Sequence, residues 1–272
     1  MISVTEVTTR KDRKAFLDFP LRLYKGNTHF VPPLYADEKK MFQKGFVYAD
    51  SCDYTFFLAR DGQGKVLGRI QGIIQKDANA KNGQRRCRFC RFDAVDNPQV
   101  TAALFSRLED WARSKGMDTL VGPLNFSDLE REGLLVEGFD EDATFEENYN
   151  APYYMQHIEA LGNRKEVDYT GSLLYGAESP ETLAEMEQLT AFVFKRYKLH
   201  FGTARSGREL LAKYADGFFD LIDKSYDGLY GTVPFTEGMR KLMVENFSLL
   251  VSPKYTAIIL DEHERPVCFG IA

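Results

Sequence analysis

The sequence predicts a mixed α/β fold: one sheet flanked by helices, followed by the opening part of a second, similar lobe. Three observations carry this. Short runs of alternating apolar and polar residues interleave with longer segments of helical periodicity. The clearest helical segment, near residues 98–114, lies between two strand-like runs. The order strand, helix, helix, hairpin occurs twice along the chain.

In chain order, Ile2–Thr8 alternates as a half-buried strand does. Residues 12–24 place Ala15, Phe16, Phe19, Leu23 and Tyr24 at helical spacing, with a kink or break expected at Pro20. Val31-Pro32-Pro33-Leu34 reads as an extended joint, and a short helix follows near Asp37–Gln43. Tyr54–Ala59 and Lys65–Ile74 form a hairpin around Asp61-Gly62-Gln63-Gly64. Residues 76–84 are polar and read as a loop. Arg86–Ala94 is the next strand, with Cys87, Phe89 and Arg91 on one face and Arg88, Cys90 and Phe92 on the other.

Asp96 or Asn97 caps the following helix, and Pro98 suits its first turn. Val100, Leu104, Leu108 and Trp111 form its apolar face, and Gly116 stops it. Met117–Leu124 reads as a buried strand, Ala151–Leu161 as a helix and Val167–Tyr175 as a strand. The pattern then restarts: a helix from Ser179 to Tyr197, a strand Leu199–Ala204, two helices, and a hairpin from Tyr255 to Ile271. The spacing from Tyr to Gly is 14 residues in the first hairpin (Tyr54, Gly68) and 15 in the second (Tyr255, Gly270). The second copy stops in mid-pattern, so the chain is expected to be part of a longer protein.

Composition narrows the function. The chain has 272 residues, 44% hydrophobic, with a net charge of −5, which suits a packed core and disfavours general nucleic-acid binding. Four cysteines make no disulfide framework, and the N-terminus has no basic start followed by an apolar run. No apolar run approaches a membrane span, so a cytoplasmic location is expected. Cys87-Arg88-Phe89-Cys90 is a lone pair of thiols without the second pair that zinc requires, so no metal is expected. Arg85, Arg86, Arg88 and Arg91 read as a solvated strand edge, the alternative being an anion site for CoA phosphates or RNA. No metalloprotease, serine-hydrolase or phosphate-loop motif occurs.

The element order of residues 2–175 resembles the GNAT superfamily of acyltransferases. The stretches Gly122–Ser127, Gly133–Asp140 and Tyr149–Tyr154 look like a bacterial group of tandem GNAT-like proteins. The resemblance implies lobes at 1–176 and 177–272, the second incomplete. It also implies transfer of an acyl group from acetyl-CoA or another acyl-CoA to a small-molecule or peptide amine, with the cofactor near Phe92, Ala94, Asn97 and Val100. Two departures stand out. The stretch that would cradle the CoA pyrophosphate, Asp93–Val100, has no glycine, two carboxylates and a proline that lacks an N–H, so the first lobe is expected to bind CoA poorly. Where many members carry an acidic Tyr, Ile158 stands here.

The segment from Asn125 to Tyr154 joins a strand end to a helix start, where α/β sheets tend to hold ligands. Glu137 is the candidate base there, and Tyr153 or Tyr154 the candidate acid. Asn125, Ser127, Tyr149 and Asn150 are candidate substrate contacts. The alternative is a packed loop with an acidic exterior that includes Asp128, Glu130, Glu132, Asp140, Glu141 and Asp142. Two other functions remain open: a non-catalytic binding module that keeps the fold, and an aminoacyl-tRNA-dependent transferase. The sequence leaves the acyl group, the acceptor and the oligomeric state open.

Overall fold

The structure is a computed structural model that describes residues 1–144, 147–172, 175–176 and 179–271. The chain divides into two compact units: Met1–Tyr169 with Gly231–Val233, and Thr170–Tyr230 with Pro234–Ala272.

The first unit is a five-stranded sheet in the order β1-β2-β3-β4-β5. β1 (Ser3–Glu6), β2 (Cys52–Arg60), β3 (Val66–Gln75) and β4 (Arg86–Ala94) pair antiparallel in succession, and β5 (Thr119–Val121) runs parallel to β4. α1 (Arg10–Leu23) starts at Thr9, whose hydroxyl accepts the Asp12 N–H. It continues through Pro20 to Leu23 without the expected break. Proline has no N–H for the carbonyl four residues back, and that carbonyl, on Phe16, instead accepts Arg69 Nη1 at 3.0 Å. A tertiary hydrogen bond thus replaces the lost helical one.

α2 (Tyr35–Lys40) follows the proline joint. Residues 76–82, expected as loop, form α3 (Lys76–Asn82). The Gln75 side chain caps it at Asp77 and Ala78, and left-handed Gly83 ends it. A polar cap on a polar helix leaves no apolar periodicity to read.

α4 (Pro98–Ser114) packs Val100, Leu104, Phe105 and Leu108 into the core, all almost fully buried. Trp111, expected at the same depth, is only half-buried. Helix and sheet approach closely: a Cβ on Gly72 would lie 2.3 Å from Leu108 Cδ1. β5 is shorter and more exposed than the buried strand expected over Met117–Leu124. α5 (Tyr153–Glu159) closes the unit. Residues 167–172, expected as strand, run as irregular chain, and Leu173 and Leu174 lie outside the described residues.

The second unit holds α6 (Pro180–Tyr197), β6 (His200–Phe201), α7 (Gly207–Tyr226), α8 (Glu237–Leu250), β7 (Thr256–Leu260) and β8 (Pro266–Ile271). Its three strands lie in the order β6-β7-β8, paired antiparallel. Phe218, Phe219 and Ile222 of α7 form one buried cluster, and Leu210 with Val251, Ile258 and Leu260 another. Among the described residues, no helix is long and apolar enough to cross a membrane.

Candidate active site

The site grows from an irregularity in β4. Gln71 pairs with Cys90 but Arg69 pairs with Asp93, so β4 carries one residue more than β3 in that interval. The extra residue is accommodated at Arg91, which adopts a φ of 43°, a conformation costly for a side-chain-bearing residue. The bulge resets the alternation expected from the sequence. Phe89 and Phe92, three residues apart, now both pack on Phe105 of α4, at 5.1 and 5.2 Å between ring centres.

Arg88 and Arg91 are not a solvated edge; both are largely buried, and Arg88 is 6% exposed. Arg88 Nη1 donates to the Asn125 carbonyl at 3.1 Å. Arg91 grips Glu38 of α2 with two bonds of 2.8 and 2.9 Å, and donates to Gln71 Oε1 at 2.8 Å and Asn125 Oδ1 at 2.6 Å. Burial raises the Glu38 carboxyl, and the Arg91 charge outweighs it, so its pKa lies below the usual value. Glu130, expected on an acidic exterior, turns inward, with an oxygen 3.7 Å from Arg91. Burial pushes its carboxyl up to about 7.

The second constellation lies at the end of β4. Asp93 accepts Arg69 Nε at 2.7 Å and the Tyr24 hydroxyl at 3.1 Å. Tyr24 Oη lies 3.0 Å from Tyr154 Oη, which accepts the Ala94 N–H at 2.8 Å. A phenol has a single proton. With the Tyr24 proton on the carboxylate, that of Tyr154 runs to Tyr24, giving a directed chain from the Ala94 amide to Asp93. Burial raises the Asp93 carboxyl despite Arg69. Burial and the nearby Asp93 charge keep both phenols protonated, their pKa values well above the ordinary one. Asp93 therefore does not project into the loop before α4, as the sequence suggested, but is enclosed beneath α1.

Both constellations border one cleft of about 70 Å³. Glu38, Arg69, Arg91, Asp93 and Arg131, with the neutral amide of Asn125, give it a polar floor, and Pro20, Phe30, Pro33, Phe92 and Leu134 an apolar wall. Asn148, Tyr149 and Asn150 also line it. Of the residues singled out from sequence, Asn125, Tyr149, Asn150 and Phe92 meet here. Asn150 pins the loop by bonding both backbone groups of Leu135, at 2.7 and 3.1 Å. The Tyr149 hydroxyl accepts Asn27 Nδ2 at 2.7 Å. Ser127 is buried and accepts the Tyr48 hydroxyl at 3.4 Å. Glu137 is exposed and lines no part of the cleft. Tyr153 donates to the Ala94 carbonyl at 2.7 Å.

Tyr24, Glu38, Arg69, Arg91 and Asp93 are not among the catalytic or substrate contacts that the sequence singles out. The available signal was a charge inside an apolar strand, as in Leu67-Gly68-Arg69-Ile70 and Arg91-Phe92-Asp93-Ala94. Such charges are rarely buried unless paired.

The cofactor residues named from the resemblance split in two. Ala94 offers its backbone at the edge of β4, whereas Val100 is core. Asn97 caps α4 by accepting Gln99 N–H at 2.9 Å on its side chain. Its carbonyl accepts Val100 N–H at 3.0 Å and Thr101 N–H at 3.4 Å. Asp96, mostly exposed, lies 3.1 Å from His157 Nε2. Cys87 and Cys90 are buried, and burial pushes each thiol up to about 12, so both stay protonated.

No protein-family profile matches the chain. Protein YghO of Escherichia coli (strain K12) is 28% identical over 263 residues, covering 96% of this chain and 65% of its own length. The bacterial ceramide synthase of Caulobacter vibrioides is 26% identical over 259 residues, covering 93% of this chain and 65% of its own. The chain thus spans about 65% of the length of these curated relatives. A tandem GNAT protein from the clavulanic acid biosynthesis pathway superposes with a TM-score of 0.51 at 12% identity, over 99% of this chain and 73% of that one. The fold is therefore the α/β fold of tandem GNAT proteins, as the element order implied.

Proposed function

We propose that the first lobe is an amide-forming acyltransferase that joins the acyl group of a thioester to the primary amine of an amphiphilic acceptor. The observation that carries this reading is the enclosed Asp93, held by Arg69 and Tyr24 at the floor of an apolar-walled cleft. An amine arrives as an ammonium and attacks a carbonyl only after losing a proton. Asp93 suits that task. Its two oxygens each accept one bond, which leaves lone pairs for an ammonium. Burial raises its carboxyl and so strengthens it as a base. Arg69 and Tyr24 fix its orientation, while the Glu38–Arg91 pair and Asn125 hold the opposite side of the floor. The thioester supplies the electrophilic carbonyl. As the nitrogen–carbon bond forms, the carbon–sulfur bond breaks, the sulfur leaves with its electron pair, and the second proton shed by the attacking nitrogen goes to that sulfur, so that an amide and a thiol result.

The acceptor class follows from the wall. Phe30, Pro33 and Leu134 suit an alkyl chain, and the floor suits a polar head. One relative is named for ceramide, itself the amide of a long-chain amino alcohol, which supports an acceptor of that kind. The reading is tested by incubating the protein with an isotopically labelled acyl thioester and a set of long-chain and short-chain primary amines, then analysing the products by mass spectrometry. Labelled amide should form, and long-chain amines should give the higher kcat/KM. Labelled product from water alone, with every amine ignored, would refute amide formation.

A further inference from the structure

We infer that the first lobe docks on an anionic lipid bilayer through the outer face of α1 and the joint before α2, which sets the mouth of the cleft at the bilayer surface. The role of this surface rests on the proposed acyl transfer, since a long-chain acceptor resides in such a bilayer; the binding itself does not.

Charge is spread unevenly along the chain. The net charge is −5, yet residues 10–44 hold nine lysines and arginines against four aspartates and glutamates. α1 turns one stripe of this stretch outward. Phe16, Leu17, Phe19 and Pro20 are buried, which leaves Arg10, Lys11, Lys14, Leu21 and Arg22 exposed at helical spacing, with Lys25 just beyond the helix. The four carboxylates do not cancel that charge. Glu38 is turned inward onto Arg91, Asp12 meets Arg60 at 2.6 Å, and Asp37 meets Lys40 at 2.8 Å. Asp18 binds Lys14 and accepts the Tyr35 hydroxyl at 2.8 Å. Arg10, Lys11, Arg22 and Lys25 form no ion pair among the described residues.

Apolar side chains stand among these cations. Leu21 is 41% exposed and Leu34 62% exposed, and each directly follows a proline, Pro20 or Pro33, that lines the cleft. The bond from Tyr35 to Asp18 holds the joint against α1. The two leucines thus border the apolar wall of the cleft. A bilayer offers phosphate to the lysines and arginines and hydrocarbon to the leucines. A nucleic acid would engage the cations and leave both leucines in water. An alkyl chain leaving the bilayer at this face meets Leu21 and Leu34 first, and then the wall formed by Pro20, Phe30 and Pro33.

The whole chain is sedimented with vesicles of phosphatidylcholine alone and of phosphatidylcholine mixed with phosphatidylglycerol. Binding should require the anionic lipid and should weaken as salt rises. Each cation near such a surface strengthens binding about fivefold, so Lys11→Gln/Arg22→Gln/Lys25→Gln should weaken it about 10²-fold. Leu21→Ser/Leu34→Ser should weaken it about tenfold and leave its salt dependence in place. In turnover, the triple variant should lose kcat/KM for a long-chain amine carried in anionic vesicles and keep it for a dissolved short-chain amine. Unchanged binding by the triple variant, or equal binding to the two kinds of vesicle, would overturn the docking. Capture of RNA by a chain that sediments with neither vesicle would overturn it as well. Absence of amide formation with every amine would refute acyl transfer, while sedimentation would still decide whether this face binds the bilayer.

Discussion

Tyr24, the residue that caps the C-terminal end of α1, and Asp93 at the end of β4 lie 69 residues apart in sequence and 3.1 Å apart in space, joined by a buried hydrogen bond. The bond ties the first helix to the sheet and closes the floor of the cleft. Because Tyr24 also lies 3.0 Å from Tyr154 Oη, one phenol serves two elements. Tyr24→Phe removes a donor from Asp93 and an acceptor from Tyr154. Leaving buried groups unsatisfied costs about 1–3 kcal/mol, so urea unfolding should show a loss in that range. A loss below about 0.5 kcal/mol would mean that water replaces the hydroxyl.

The Arg69–Asp93 pair should show strong coupling. Its side chains are 6% and 8% exposed. Arg69→Met or Asp93→Asn alone strands a buried partner, at about 3–5 kcal/mol. The double variant strands neither charge and should cost well below the sum of the two singles. Additive losses would show that the two side chains act independently.

The contact between α4 and the sheet predicts a second non-additive pair. Leu108→Ala should cost about 2–5 kcal/mol, since the side chain is fully buried. Gly72→Ala forces a Cβ to within 2.3 Å of Leu108 Cδ1 and should cost about 1–3 kcal/mol. Combining them relieves the clash, and the double variant should be more stable than the sum predicts. Thermal unfolding of the four proteins measures this directly.

Glu130 sets a pH dependence. Burial lifts its carboxyl from an ordinary value of 4.5 to about 7, while the Arg91 charge pulls the other way. The folded chain then binds a proton more readily than the unfolded one. The stability that this group contributes is present below about 4.5 and is lost as the pH rises through about 7. Glu130→Gln should flatten the fall in unfolding free energy across that window. An unchanged slope in urea titrations would assign the pH dependence to other groups.

The sheet and the principal helix were legible because their signals are local. The Asp61–Gly64 turn and the Asn97-Pro98 cap are short-range chemistry, and residues 98–114 bury their apolar stripe as its spacing implies. The β4 bulge was not legible, because the count of residues facing β3 is set by the partner strand and not by β4 itself. From Arg91 onward a period-two reading therefore puts each side chain on the wrong face. Pro20 misled for a related reason: the carbonyl it leaves free finds Arg69, 53 residues further along the sequence. The cleft depends most on such long-range contacts. Glu137 stands in a motif-like stretch but projects outward, while Asp93, set aside as a repulsive charge, is enclosed in the cleft floor.

Turnover of paired variants tests the central claim most directly. The Arg69→Met/Asp93→Asn protein removes the proposed base without stranding a buried charge, and its fold can be verified by circular dichroism. Amide formation from a labelled thioester and a long-chain amine should fall by about 10²-fold or more in that variant, the usual consequence of losing a positioned base. Glu137→Gln should match the unaltered protein. Full turnover by the Arg69→Met/Asp93→Asn protein, with loss of turnover in Glu137→Gln, would contradict the account and return the chemistry to the exposed loop.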